Sequence, residues 1–173
     1  MTKGLPRSNS RAKPQSQAVR RQRIVLTNKA VTVSGATGVG FGTTVIGDLP
    51  EGNIHFMSAV GYLRFTRPAA STGILATFEG DYAIGTEATI DADVADTNEA
   101  NILPSTSMGV AATSGVSPTS RSTNITGVML DNTDGSLELN LNVMIDDASI
   151  NAASQAMTAD GYVDLVYAVL GDD

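Results

Sequence analysis

The stretch DNTDGSLELNLNVMIDD, residues 131–147, decides the fold class. Within it Leu137, Leu139, Leu141, Val143 and Ile145 fall at every second position. Glu138, Asn140 and Asn142 stand between them, with Met144 the one apolar exception. Successive side chains of a strand point to opposite faces, so this spacing gathers five aliphatic groups on one side and polar groups on the other. A helix would scatter the same residues around its circumference. Upstream, residues 131–136 supply the Asn, Asp and Gly of a tight reversal, and the apolar run 125–130 precedes them. The pattern predicts a half-buried antiparallel strand in a hairpin with the segment before it.

Working outward, the same texture recurs. Residues 24–26 and 31–33 read as short strands around Thr27-Asn28-Lys29, and 43–46 as another, closed by the turn signal Gly47-Asp48-Leu49-Pro50-Glu51-Gly52-Asn53. Residues 54–66 form the longest extended segment, with Ile54, Phe56, Val60 and Tyr62 on one face and Met57, Leu63 and Phe65 on the other. Apolar groups on both faces predict a central strand covered on both sides or meeting another subunit. Residues 74–78 and 82–84 flank Glu79-Gly80-Asp81 as a second hairpin-like unit. The polar stretches 86–107 and 111–122 read as mainly connections, 148–157 as possible helical turns, and 162–170 as a closing strand in which Val163, Leu165, Tyr167 and Val169 alternate. Eight or nine strands at this spacing predict an all-β fold, an antiparallel β-sandwich of jelly-roll-like form.

Charge divides the 173-residue chain. Residues 1–23 carry Lys3, Arg7, Arg11, Lys13, Arg20, Arg21 and Arg23 and no acid, whereas residues 24–173 set four bases against all eighteen acids, a net −14. The first segment is almost devoid of apolar residues and cannot offset its ordering entropy by burial. It is expected to be an extended basic arm, 1–23, disordered unless bound, on a β-sandwich body, 24–173. Fully extended, the arm would reach about 75 Å. Its clustered arginines favour a partner-binding arm over a solubilising tail, and all seven cations are candidate contact residues. They could neutralise phosphates or lie across an acidic protein surface. No aromatic residue interleaves them, so base stacking is not indicated.

Catalytic chemistry finds little support. His55 is the single histidine, set in an extended apolar segment where a packed or interface residue is the plain reading. With no cysteine and one histidine, zinc sites of the usual composition are excluded. The glycine-dense stretch 35–42 is followed by no helix that would make it a phosphate cradle. The acidic loop Asp91-Ala92-Asp93-Val94-Ala95-Asp96 has carboxylates close enough to share a cation, but lacks the glycine and terminal glutamate of a calcium loop. The eight aromatics include no Trp, which disfavours a sugar-stacking groove. No signal peptide and no membrane-spanning run is evident. The expectation is a non-enzyme with no catalytic residue, no metal, no cofactor and no membrane partner.

Four stretches together resemble a family of small head proteins of tailed bacteriophages: residues 45–53 (VIGDLPEGN), 78–86 (FEGDYAIGT), the 131–147 run and the closing 169–173 (VLGDD). The resemblance runs from about Thr32 to the end and does not reach the arm. It implies a capsid decoration, or cement, protein with a jelly-roll-like body, a homo-trimer on the outer surface of the virion. Such a protein, assembled in the host cytoplasm, clamps neighbouring copies of the major capsid protein through its body and arm. The alternative from the residues alone is a shell-forming jelly-roll coat protein whose basic arm binds nucleic acid.

Overall fold

The computed structural model describes residues 19–34, 40–88, 94, 98–146, 149–151 and 154–170. Nine strands follow one another: β1 (Arg20–Val33), β2 (Gly40–Asp48), β3 (Gly52–Thr66), β4 (Gly80–Gly85), β5 (Leu103–Ser107), β6 (Ser120–Asn124), β7 (Val128–Asn132), β8 (Glu138–Ile145) and β9 (Gln155–Val169). They form two antiparallel sheets. One runs β1-β9-β3-β6 with β7 also on β3, and the other runs β2-β8-β4-β5. β6 and β7 pair with successive lengths of β3, at residues 59–63 and 52–56, and so act as one interrupted edge strand. The pairing is then nested: β1 with β9, β2 with β8, β3 with β6/β7, β4 with β5. A long folded ribbon wrapped into two sheets has this order, which is the jelly roll.

β8 supplies the core as its spacing requires. Leu139, Leu141, Val143 and Ile145 are fully buried, facing Ile54, Phe56, Leu63, Phe65, Val163 and Leu165 of the opposite sheet in a single cluster. Beyond the exposed Glu138 its polar face is not solvated, however. Asn140 and Asn142 are buried as well, and Asn142 donates to the Glu99 carbonyl at 2.9 Å. The described residues of the connection between β4 and β5 lie against this sheet's outer face, where Ala83 and Val94 pack with Phe41, Ala100 and Met144. It sits so close that a Cβ on Gly85 would fall 2.1 Å from the Asn98 carbonyl oxygen. Amide side chains fit such a covered face because they can satisfy backbone groups there.

Several expectations are corrected. β7 and β8 do not form a hairpin: β7 pairs with β3 in one sheet, β8 with β2 and β4 in the other. The reversal between them is a corner that carries the chain across the sandwich. Asn132, fully buried, holds it by donating to the carbonyls of Leu49 and Pro50 at 3.2 and 2.9 Å and accepting from the Leu137 N–H at 2.8 Å. Residues 74–78 form turns with one isolated bridge, Ile74 to Ile150, so β4 has no hairpin mate there. The segment 155–157 opens β9, and no α-helix occurs among the described residues. The two faces assigned to β3 exchange part-way, because a bulge between Phe56 and Ser58 shifts the alternation by one. Ile54 and Phe56, then Ala59, Leu63 and Phe65, are buried, while Val60 and Tyr62 turn outward.

The arm boundary moves too. β1 starts at Arg20, so Arg20, Arg21 and Arg23, assigned to the arm by composition, are sheet residues paired with Tyr167, Val166 and Asp164. An edge strand tolerates outward charge, and here a carboxylate on the neighbouring strand answers it. The two short strands 24–26 and 31–33 are one strand, interrupted by a bulge at which Asn28 takes φ 48° and its N–H is held by Asp160 Oδ1 at 2.9 Å.

Glycine at position 42 has a checkable consequence. A Cβ there would lie 2.0 Å from the Thr32 carbonyl oxygen, where β2 passes against β1. Gly42→Ala must push the two strands apart, and a thermal melt is expected to show a loss of at least about 2 kcal/mol, of the order of core overpacking.

Candidate docking face

The two sheets differ in what lies on their outer faces. Among the described residues, the β2-β8-β4-β5 sheet is covered by the chain itself, whereas the β1-β9-β3-β6 sheet leaves its outer face open. Cross-strand register assigns the residues on that face. Arg23, Asp164, Val60 and Thr123 form one row across β1, β9, β3 and β6, and Val25, Tyr162, Tyr62 and Arg121 form the next. Arg21 and Val166 lie to one side of these rows, Asp160 and Arg64 to the other.

Across the rows the side chains contact one another. The Arg23 guanidinium sits 4.1 Å from the centre of the Tyr162 ring, Tyr162 and Tyr62 are 5.2 Å apart at 38°, and Arg121 lies 5.7 Å from the Tyr62 centroid. Cations over aromatic faces at these distances are attracted by the ring quadrupole. The result is a stacked row of arginine, tyrosine, tyrosine and arginine spanning four strands. Beside it, Tyr62, Arg64, Thr119, Asp160, Gly161 and Tyr162 line an open cleft of about 190 Å³.

Asp164 anchors the β1 side. It accepts from Arg23 Nε and Nη2 at 2.8 and 2.6 Å, a bidentate fork, and from Arg21 Nη2 at 3.0 Å. The Arg23 hydrogen bonds outweigh the opposing push from burial and, with Arg21 adding to them, hold its carboxyl at about 2. The same carboxylate raises Arg23. A carboxylate depressed in the folded state adds stability above its unfolded value near 4 and gives it up as pH falls toward 2. The protection factors of β1 amides, exchange rates corrected for the intrinsic pH dependence, are therefore expected to fall between pH 4 and pH 2. Asp164→Asn should flatten that dependence, and an unchanged profile would show the bridge to be inert.

The face concentrates positive charge. Residues 19–173 carry seven bases against all eighteen acids, a net −11, yet Arg21, Arg23, Arg64 and Arg121 stand together here. The carboxylates among them are engaged: Asp164 by two arginines, and Asp160 by the Asn28 N–H. Exposed apolar groups intersperse them: Val25 is 66% exposed and Met129, beside His55 on β7, 57%. Composition alone could not have located this face, because its members come from β1, β3, β6 and β9 and meet only through register.

Of the residues the sequence singled out, Arg21 and Arg23 belong to this face and Arg20 to the start of its edge strand. Lys3, Arg7, Arg11 and Lys13 lie outside the described residues, as do Asp91, Asp93 and Asp96. His55 is half-buried on the same outer face, its ring over Gly127, where a Cβ would come within 2.8 Å of Nε2. Among the described residues no three His, Cys, Asp or Glu gather as a metal set, and no helix is long and apolar enough to cross a membrane.

No family model and no curated protein matches the chain. Among solved structures it is similar to infectious bursal disease virus of the Gx strain, at 14% identity over 90% of this chain and 33% of that one, with a TM-score of 0.37. The Gt strain structure gives 12% identity, 86% and 32% coverage and a TM-score of 0.36. The VP2 subviral particle of the same virus gives 12%, 86%, 32% and 0.35. The chain thus spans about a third of the length of each chain it matches.

Proposed function

We propose that the chain is a structural protein of a virion, a non-enzymatic capsid decoration or cement protein. In this reading the sandwich rests on neighbouring copies of the major capsid protein, and the basic leader reaches along the joints between them. The observation that carries it is the continuity of positive charge from leader to open face. The leader, residues 1–18, holds four bases and no acid, and it joins the body at Arg20, one residue before Arg21. Leader and face are repelled by each other and attracted to the same acidic neighbour.

The nested sandwich supports a clamp in mechanical terms. β1, β3 and β9 run 14 to 15 residues each and share one continuous core, so a load on the outer face is spread over a rigid sheet. A segment that orders only on its partner couples attachment to the finished shell. The homo-trimer and the outer-surface location belong to the same proposal.

The test mixes the purified full-length protein with preformed heads that lack it and sediments them. A clamp co-sediments at a saturating, symmetry-related number of copies and forms no closed particles by itself. A protein that assembles alone into shells and protects nucleic acid would be the coat protein of the alternative reading.

A further inference from the structure

We propose that the open face of the β1-β9-β3-β6 sheet docks an acidic surface of a partner protein, with the tyrosine pair as its centre. This deepens the clamp reading and rests on it for the partner's identity. The face itself is argued from chemistry. Four arginines stand on a body whose net charge is −11, and the two carboxylates set among them are already bonded within the chain. The electrostatic complement of such a face is carboxylate. Arg64 and Arg121 are exposed on two sides of Tyr62, Arg64 two residues along β3 and Arg121 opposite it on β6, so each can take a carboxylate in a bidentate fork while the neighbouring rings are covered.

The composition favours protein over nucleic acid. Tyrosine and arginine at the centre with aliphatic groups around them is the make-up of a protein hot spot, and Val25, Val60 and Val166 supply the apolar surround. The chain's own leader is a poor occupant because its charge has the same sign. Gly161 fixes the geometry of the cleft. Its φ is +135°, and a Cβ there would be 2.0 Å from the Tyr62 carbonyl oxygen, so β9 and β3 close tightly beneath the rings.

The experiment uses isotopically labelled full-length protein titrated with a 15-residue peptide of alternating Glu and Leu, and separately with a 20-base-pair DNA duplex. With the peptide, saturable shifts are expected at the amides of Val60, Tyr62, Arg121, Tyr162 and Val166, and none on the covered sheet. The paired substitution Arg64→Glu with Arg121→Glu is expected to weaken peptide binding at least tenfold. Both side chains are exposed, so the spectrum of the unbound variant checks that the fold is kept, and Arg121→Gln gives the milder loss. Shifts confined to residues 1–18, or DNA binding to this face more tightly than the peptide, would overturn the proposal. If the protein attaches to heads while the double variant attaches equally well, the docking face is wrong and the clamp stands. If the peptide binds the face but the protein ignores heads, the clamp is wrong and the face stands.

Discussion

Asn132→Ala is expected to lower stability by about 3 kcal/mol, because it removes three hydrogen bonds made by a fully buried side chain, at about 1 kcal/mol each. The Leu137 N–H loses its acceptor, and the Leu49 and Pro50 carbonyls lose their donor. Water cannot readily replace the side chain, since the residue is fully buried. For a domain of this size the melting temperature should fall by roughly 10 °C. Asn132→Asp is a sharper probe. It keeps the acceptor for Leu137 but turns a buried carboxylate toward two carbonyls, and it should cost at least as much as alanine. A chemical-denaturation series separates these outcomes. A loss below about 0.5 kcal/mol for both variants, the range of ordinary surface changes, would mean that the corner is held by something else.

If the leader grips the shell as proposed, deletion of residues 1–18 abolishes attachment to heads while moving the melting temperature by less than about 2 °C. The boundary matters. A deletion through residue 23 would also remove the first rungs of β1 and both arginine partners of Asp164, and would confuse loss of grip with loss of fold. Sedimentation with heads, alongside a melt of each deletion, tells the two apart. Attachment of the shorter deletion at full strength would assign the grip to the body alone.

The sandwich was legible in the sequence because its signals are local. Alternation at Leu139, Leu141, Val143 and Ile145, and again at Val163, Leu165 and Tyr167, records burial against a facing sheet, and the turn residues 47–53 mark a chain reversal. What resisted reading was relational. Asn132 looks like a hairpin turn residue whether the chain returns to the same sheet or crosses to the other. The bulge at Met57 inverts the alternation of β3 with no compositional cue, so Val60 and Tyr62 read as sharing a face with Ile54 and Phe56. Asn140 and Asn142 read as solvent-facing because the segment that covers them lies some 40 residues away. At β1, arginines that read as a tail are a strand, since the carboxylate that neutralises them is Asp164 at the far end of the chain. The docking face failed for the same reason: Arg23, Tyr62, Arg121 and Tyr162 share no local pattern.

An electron cryomicroscopy reconstruction of heads carrying this protein tests the central claim most directly. The expected density shows the sandwich outside the shell, the β1-β9-β3-β6 face turned toward it, and the leader leaving Arg20 along a joint between capsid subunits. A sandwich built into the shell lattice itself, or one whose open face points to solvent with its leader in the genome, would contradict it.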